Sequence, residues 1–478
     1  MEAPQAPSQP LLPTPQLSTV AQAMAEVTET GTVHAVDLYG SAASHAMVQV
    51  YPGDPYSSID CYNSNAPHFH VGDRVVCVGT YAGSGSSHWI QASSLTLATS
   101  ASPTPQASSS TSTRHVLTAD YAGGSSGTHA SVSSIAPWLS WAETTMQENP
   151  ALRGAGVKAM YYTDPNRLQP SDYMWTSNES AFAHTCSGSR IKSTVYADQY
   201  LMNPASSSLR QDWDDYISSR SQGVTWDAIF EDNANNISYT TATPCGYNAS
   251  TWLASSVAEN SFQVPVPIIY NGLVISNQMG LNASPNVLGG MYEGCYSDAT
   301  SRPKIWTPYW TDIENAEITM ARSGKQFICL GRDSSSASSA TDGRLYTYAS
   351  FLLTYTPSSS ILWDNYDTSS GFHVEPETKL VALQPLVSTP STVDGLRLST
   401  GVYGREFGAC YIDGSSVGAC AVVVNPDRSS SHGYPYGSKY AHTLRLSGSG
   451  IIDGGSISTS GSRPPSSVPA LGSYIVFK

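Results

Sequence analysis

Between residues 114 and 395, short apolar runs alternate with longer stretches of helical periodicity. The runs His115–Tyr121, Val157–Thr163, Ile191–Ala197, Trp226–Phe230, Val266–Tyr270, Val287–Tyr292, Gln326–Leu330 and Ile361–Trp363 are rich in β-branched and aromatic residues. They are too short for helices and read as buried parallel strands. Ile135–Asn149, Ser208–Ser221, Thr251–Ser261, Thr311–Ser323 and Asp342–Thr354 read as helices between them. Eight strands alternating with helices predict an α/β chain with a (β/α)8 TIM barrel. A doubly wound open sheet would carry a glycine-rich phosphate loop after its first strand. Gly123-Gly124-Ser125-Ser126-Gly127 is glycine-rich but lacks the GxGxxG order.

The flanks follow a period of two. In residues 27–98 the runs Gly31–Val36, Ala46–Tyr51, Asp73–Gly79 and His88–Ala92 alternate between turn residues, predicting a small OB-like β-barrel. Residues 99–113 form a Ser/Thr/Pro linker, and residues 1–26 a Pro-rich leader read as disordered. From 396 to 478 the helical pattern stops. Glu406–Ile412, Gly418–Asn425, His442–Leu446 and Ser473–Phe477 predict a C-terminal antiparallel β-sandwich.

Charge narrows the partners. The net charge is −14, with only 13% charged residues, and Arg74 is the sole Lys or Arg among the first hundred. Nucleic acid and anionic membranes need a basic footprint, so neither is expected, and no apolar run is long enough to insert into a bilayer. The leader lacks the basic and apolar parts of a signal peptide and reads as a linker left behind a removed one. A secreted, extracellular protein is expected.

The eight cysteines form no CxxC pair, so zinc and redox motifs are unsupported and no cofactor is expected. Cys61–Cys77, Cys186–Cys245 and Cys410–Cys420 are candidate disulfides, whereas Cys295 and Cys329 lie in apolar runs and read as buried thiols. His68-Phe69-His70 lacks a nearby third metal ligand, and HExxH and Walker motifs do not occur.

The chemistry is carried by the strand ends. At or just after the predicted strands stand Asp120, Asp164, Asp198, Asp232, Asn271, Glu293, Arg332 with Asp333, and Asp364. Barrel enzymes keep their active sites at that C-terminal mouth. Tyr121, Tyr162, Tyr196, Tyr270 and Tyr292 accompany them, and Glu231 and Asn233 flank Asp232. Acids that accept from hydroxyls, beside aromatic faces that cover C–H surface, suit a polyhydroxylated ligand. Helix N-capping accounts for some of the acids, Asp164 and Asp364 among them. It accounts less well for Glu293, since Glu is a poor cap, or for Asp232, which no helix pattern follows.

Glycoside hydrolysis needs two carboxyl groups flanking the scissile bond. Asp232 is assigned as ionised nucleophile or base and Glu293 as general acid/base, with the remaining strand-end residues as substrate contacts. Trp175, Trp226, Trp306, Trp310 and Trp363 are candidate sugar platforms. Arg332 either meets a carboxylate or an anionic substituent, or pairs structurally with Asp333 or Asp364.

Trp226-Asp227-Ala228-Ile229-Phe230-Glu231-Asp232-Asn233 is similar to the strand-four signature Asp-Gly-(apolar)-Phe-(x)-Asp-(Asn/Thr) of the endo-α-1,4-polygalactosaminidase-like and related glycoside hydrolase families. Ala228 stands where that signature has Gly. The resemblance implies a (β/α)8 barrel, Asp227 at the strand entrance and Asp232 as catalytic carboxylate. The expectation is a glycosidase acting on a poly- or oligosaccharide. A non-catalytic carbohydrate-binding protein on a degenerate barrel, or a surface or matrix interaction protein, are the alternatives.

Overall fold

The structure is a computed structural model. It describes residues 27–37, 45–49, 58–62, 74–82, 89–97, 117–120 and 132–478, without 236–239, 263–265, 274–277, 299–303, 333–340, 365–373, 449–450 and 452–453. Up to residue 120, and at Gln278, Asp298, Arg332 and Asp364, the description is of the backbone alone. Tyr121, Asp333, the linker and the His68-Phe69-His70 motif lie outside the described residues, as do the side chains of Cys61 and Cys77. The chain divides into two compact units, Met1–Gln106 and Ala107–Lys478.

In the first unit, β1 (Val27–Asp37), β2 (His45–Gln49), β3 (Ser58–Tyr62), β4 (Arg74–Ala82) and β5 (Trp89–Leu97) close into a barrel of order β1-β2-β3-β5-β4. All neighbours are antiparallel except β3 and β5.

The second unit is built on a closed parallel barrel of eight strands. These are β6 (Leu117–Asp120), β7 (Leu139–Glu143), β8 (Lys158–Thr163), β11 (Ala228–Glu231), β12 (Ile268–Asn271), β13 (Val287–Asp298), β14 (Gln326–Arg332) and β15 (Ser360–Asp364). A two-stranded ribbon, β9 (Arg167–Leu168) with β10 (Tyr200–Leu201), stands in the excursion after β8. The helices are α1 (Val132–Ile135), α2 (Asn149–Gly154), α3 (Ser207–Arg220), α4 (Ala249–Ser261), α5 (Tyr309–Arg322) and α6 (Thr341–Thr354). Ser206 caps α3 and Asn248 with Thr251 forms a capping box on α4, which sets where each begins. None of the helices among the described residues is long and apolar enough to cross a membrane.

The expected barrel is present, with one exchange of strands. Ile135–Asn149, read as a helix, contains the second strand: Pro137 confines the helical start to a short turn, and Leu139–Glu143 then runs extended and buried. Ile191–Ala197, read as the third strand, lies outside the barrel and makes only isolated bridges, to Tyr200 and Thr240. Its Ile191 packs with Ala183, Leu201 and Trp252 in a small cluster under the excursion. Short apolar runs carry too little period to separate these cases. The two errors offset, so Asp232 still follows the fourth strand.

The barrel interior is filled by Trp141, Met160, Ala228, Phe230, Ile269, Met291, Ile328, Leu330, Ile361 and Trp363. Alternation then places Glu143, Tyr162, Asp232, Asn271 and Glu293 on the next inward positions, above that apolar plug.

Beyond the barrel, β16 (Leu380–Pro385), β17 (Tyr403–Ile412), β18 (Ser415–Asn425), β24 (Gly472–Phe477) and β20 (His442–Thr443) form one five-stranded antiparallel sheet. Ribbons β19 (His432–Gly433) with β23 (Ser467–Val468), and β21 (Arg445–Ser447) with β22 (Ser456–Ser458), accompany it. The sheet starts at Leu380, inside the span read as barrel. One face packs on α6 and shares the barrel's core through Leu380, Phe407, Val422 and Phe477. Tyr434, Tyr436 and Tyr440 cover the other face. Arg405 reaches from β17 to the carbonyls of Leu353 and Tyr355 at the end of α6, and Arg344 of α6 pairs with Glu375 and Glu377.

Cys186–Cys245 and Cys410–Cys420 are disulfides, as expected. Cys295 and Cys329, expected as thiols, are also joined. The adjacent strands β13 and β14 bring their Cα atoms to 5.3 Å, within bridging range.

Candidate active site

Asp232 ends the fourth strand, where the backbone turns sharply. Its N–H still bonds the Thr163 carbonyl, but Asn233 and Asn235 take left-handed conformations with φ of 53° and 52°. Asn tolerates that region better than most side chains. The turn brings the Asn233 N–H onto Asp232 Oδ1 at 2.8 Å, and its amide onto Asp164 Oδ2 at 2.8 Å and Asp232 Oδ2 at 3.3 Å. Tyr162 donates its hydroxyl to Asp232 Oδ2 at 2.7 Å. Four donor contacts thus fix both carboxylate oxygens once Asn271 is included.

Asn271, from the end of β12, is the centre of the arrangement. Its Nδ2 donates to Asp232 Oδ1 at 2.8 Å and to Glu293 Oε2 at 3.1 Å. One nitrogen holding both oxygens limits their separation to about 6 Å, the two bonds laid end to end. Two acceptors also determine which way the amide faces, because only its nitrogen can donate. Asn271 Oδ1 is then buried with no hydrogen-bond partner among the described residues. An orphaned carbonyl costs about 1–3 kcal/mol, a cost tolerated where the amide has a task.

Glu293 stands on β13 just before Gly294, whose φ is 81°, and the register with β14 slips between Glu293 and Asp298. A bulge at this point re-aims the side chain beside it. Below, Gly290 makes room for the Tyr270 ring, whose nearest atom would lie 2.7 Å from an added Cβ.

A second tier of acids supports the first. Glu231 is only 1% exposed and lies on the helix-facing side of β11, held by Asn166 at 2.9 Å and Asn260 at 2.8 Å. Asn166 also donates to the Asp232 carbonyl at 3.0 Å, tying the two neighbours together. Burial pushes Glu231 up to about 7, against the pull of those two amides. Asp164 is raised well above the carboxylate range by burial first and then by the charge of Asp232. Burial, then Asp232 and Asp164, raises the Tyr162 phenol, which keeps it a donor.

Comparison with known proteins bears on this geometry. The chain matches the family described as "Hypothetical glycosyl hydrolase family 15" over residues 157–410, more than half of its 478 residues. The chain belongs to this glycosyl hydrolase family. The match runs from the start of the third strand into β17 and takes in Asp232, Asn271 and Glu293. The protein is accordingly a glycosidase, in agreement with the strand-four resemblance. Among solved structures, the glycoside hydrolase domain of PelA from Pseudomonas aeruginosa is similar at 10% identity, covering 52% of this chain and 94% of that one, with a TM-score of 0.36. Ega3 of Aspergillus fumigatus, in complex with galactosamine, is similar at 11% identity, covering 54% and 95%, with a TM-score of 0.37. A maltogenic α-amylase, AmyB of Thermotoga neapolitana, is similar at 8% identity, covering 77% and 100%, with a TM-score of 0.38. No curated protein matches.

In this glycosyl hydrolase the strand-end residues divide into groups. Asp232, Glu293, Asn271, Asn233, Tyr162 and Asp164 are brought together. Glu231, Tyr270 and Tyr292, read as substrate contacts, are buried and side with the helix layer, because strand alternation turns them away from the mouth. Tyr196 and Asp198 are exposed on the excursion rather than at a barrel strand's end. The side chains of Asp120, Arg332 and Asp364 lie outside the described residues, as does Tyr121. Asp227 sits at the opposite end of its strand, paired with Arg153 at 3.0 Å and accepting the Ala159 N–H at 2.9 Å. Of the candidate platforms, Trp226, Trp310 and Trp363 are buried, and Trp175 packs against Phe182 and Tyr200. Trp306 is partly buried, with the Arg428 guanidinium over its ring.

Two residues of the site escape the sequence reading. Glu143 ends the second strand on an inward position, and its charge reaches Tyr162. Trp141-Ala142-Glu143 has the same apolar-then-acid form as the other strand ends, hidden inside a stretch read as helix. Asn166 carries no sequence signal, since its role depends on a fold-back of the chain after Asp164.

Proposed function

We propose that this glycosidase cleaves O-glycosidic bonds of a poly- or oligosaccharide with retention of configuration, using Asp232 as nucleophile and Glu293 as general acid/base. The observation that carries this reading is the Asn271 amide shared by both carboxyl groups. Retaining enzymes hold their carboxyl groups about 5–5.5 Å apart, and inverting ones at 6.5 Å or more. An upper limit of about 6 Å between the bridged oxygens favours the retaining geometry.

In the first step an Asp232 oxygen attacks the anomeric carbon while Glu293 gives its proton to the departing glycosidic oxygen. In the second, Glu293 takes a proton from water, the water oxygen bonds the anomeric carbon, and Asp232 leaves. Tyr162, Asn233 and Asn271 hold Asp232 on the line of attack.

The rest of the chain suits an extracellular enzyme of several parts. The five-stranded barrel of the first unit has the OB-type strand order and, with scarcely any basic residues, fits carbohydrate binding or spacing better than nucleic acid. The chain from residue 114 reads as a catalytic barrel followed by a C-terminal β part that opens with β16 at Leu380, and the three disulfides among the described residues fit an oxidising compartment.

The test is digestion of a glycan panel with products read by mass spectrometry and anomeric NMR. Asp232→Asn and Glu293→Gln are each expected to lose at least a thousandfold in turnover while still binding the glycan. Binding with no turnover in the unmutated protein would instead mark a carbohydrate-binding protein. An initially inverted anomer would remove Asp232 as nucleophile.

A further inference from the structure

We infer that the cleft beside Asp164 binds a further saccharide unit of the substrate, with the exposed ring of Tyr173 as its stacking platform. This deepens the glycosidase reading and rests on it. The cleft has a volume of about 360 Å³, within the range of small-ligand sites. It does not stand apart from the carboxylate centre. Tyr162 and Asp164 line it, the first bonded to Asp232 and the second linked to it through Asn233. A chain whose scissile bond lies at Asp232 therefore has an adjoining space for the next unit.

Tyr173 is 84% exposed, the largest value among the exposed large apolar side chains of the described residues. It is nonetheless built onto a firm support. The turn before it is closed by Asp172, whose Oδ2 accepts the Gln169 N–H at 2.8 Å and whose own N–H donates to the Gln169 carbonyl at 2.9 Å. Trp175 closes the next turn by donating its N–H to the Asp172 carbonyl at 2.9 Å, and its ring is wedged against Phe182 and Tyr200. The guanidinium of Arg220, at the end of α3, lies 4.7 Å from the Tyr173 ring centre and 5.0 Å from that of Tyr216 in the cleft wall. A cation so placed fixes an aromatic ring without hiding it from solvent.

An immobilised aromatic ring kept in water, beside carboxylate and amide acceptors, matches the two surfaces of a pyranose. The ring covers the C–H face, while Asp164, Gln169 and Asp172 accept from hydroxyl or amino groups at the edge. Trp175, the sequence candidate nearest in the chain, is the support and not the platform.

The proposal predicts that cleavage improves with chain length and that Tyr173 carries the improvement. The probes are linear α-1,4- and β-1,4-linked oligosaccharides of neutral, N-acetylated and free amino hexoses, each from two to eight units. Tyr173→Ala is expected to lower kcat/KM on the six- to eight-unit members of the cleaved series about tenfold more than on the shortest cleaved member, and Tyr173→Trp to restore most of it. An equal loss at every length, or no loss, overturns the assignment. If no member is cleaved by the unmutated protein, the hydrolase reading fails separately. Calorimetric binding of the same probes then decides the cleft: affinity that rises with length and drops in Tyr173→Ala upholds it, and equal or absent binding overturns it.

Discussion

A single amide does at Asn271 what sequence alone could not promise: it holds two acids from different strands to one point. Its acid neighbours are legible because a carboxylate following an apolar run is conspicuous in a chain with few charges. Asn271 itself was visible as the residue after its strand, but its bridging role depends on strand stagger, which no local pattern encodes. Replacement by Ala removes both donors and leaves two carboxyl groups facing each other. Turnover is expected to fall about a hundredfold, the usual scale for losing one preorganised donor. As a positioning residue Asn271 should also shift the pH–rate profile, because removing the bridge alters the field each acid feels. Initial rates from pH 4 to 8 on the glycan found in the panel check this, and an unshifted profile at full rate would reduce Asn271 to packing. Glu231, Tyr270 and Tyr292 teach the converse: adjacency to the right residue in sequence places a side chain on the wrong side of a strand.

At the scale of elements, existence was easier to read than identity. Helices α3 to α6 were evident from their helical period, and seven of the eight barrel strands from short apolar runs. Leu139–Glu143 failed because its flank begins with real helical turns, and Ile191–Ala197 because a short run with β-branched and aromatic residues need not join the barrel. That second run belongs to the long excursion between β8 and α3, which carries Tyr173 and forms the cleft. The Cys186–Cys245 disulfide ties this excursion to the segment ahead of α4 across a sequence separation of 59. Chain-entropy arguments give such a link about 4 kcal/mol. Replacing both cysteines by Ser is expected to lower the urea midpoint accordingly and to open the excursion to limited proteolysis before the barrel. An unchanged midpoint and cleavage pattern would mean that the packing of Trp175, Phe182 and Trp252 suffices.

At the scale of the whole molecule, several buried acids keep protons that the unfolded chain would release. Glu231 is pushed up to about 7, and Asp164, Glu259 and Glu314 lie well above their ordinary range, burial being the first cause in each. An acid raised by folding contributes stability below its unfolded value and loses it as pH climbs through the folded one. Stability should therefore decline from about pH 4.5 to 7, by up to about 1.4 kcal/mol per pH unit for each proton released. Denaturation series across that interval check the sign, and Glu231→Gln should flatten the slope by one proton. A stability that climbs instead would show that these groups stay charged in the fold. None of this is readable from composition, because a buried acid and a solvated one are the same letter.

Every residue of α6 from Gly343 to Thr354 except the partly buried Leu345 is buried, with the barrel on one side and β17, β18 and β24 on the other. A helix covered on both sides loses much of its support when one neighbour is missing. The carboxyl-terminal sheet is for that reason not an exchangeable accessory. Recombination that swapped it for another lineage's would have to carry α6 along, and drift in one layer must be answered by compensating change in the other.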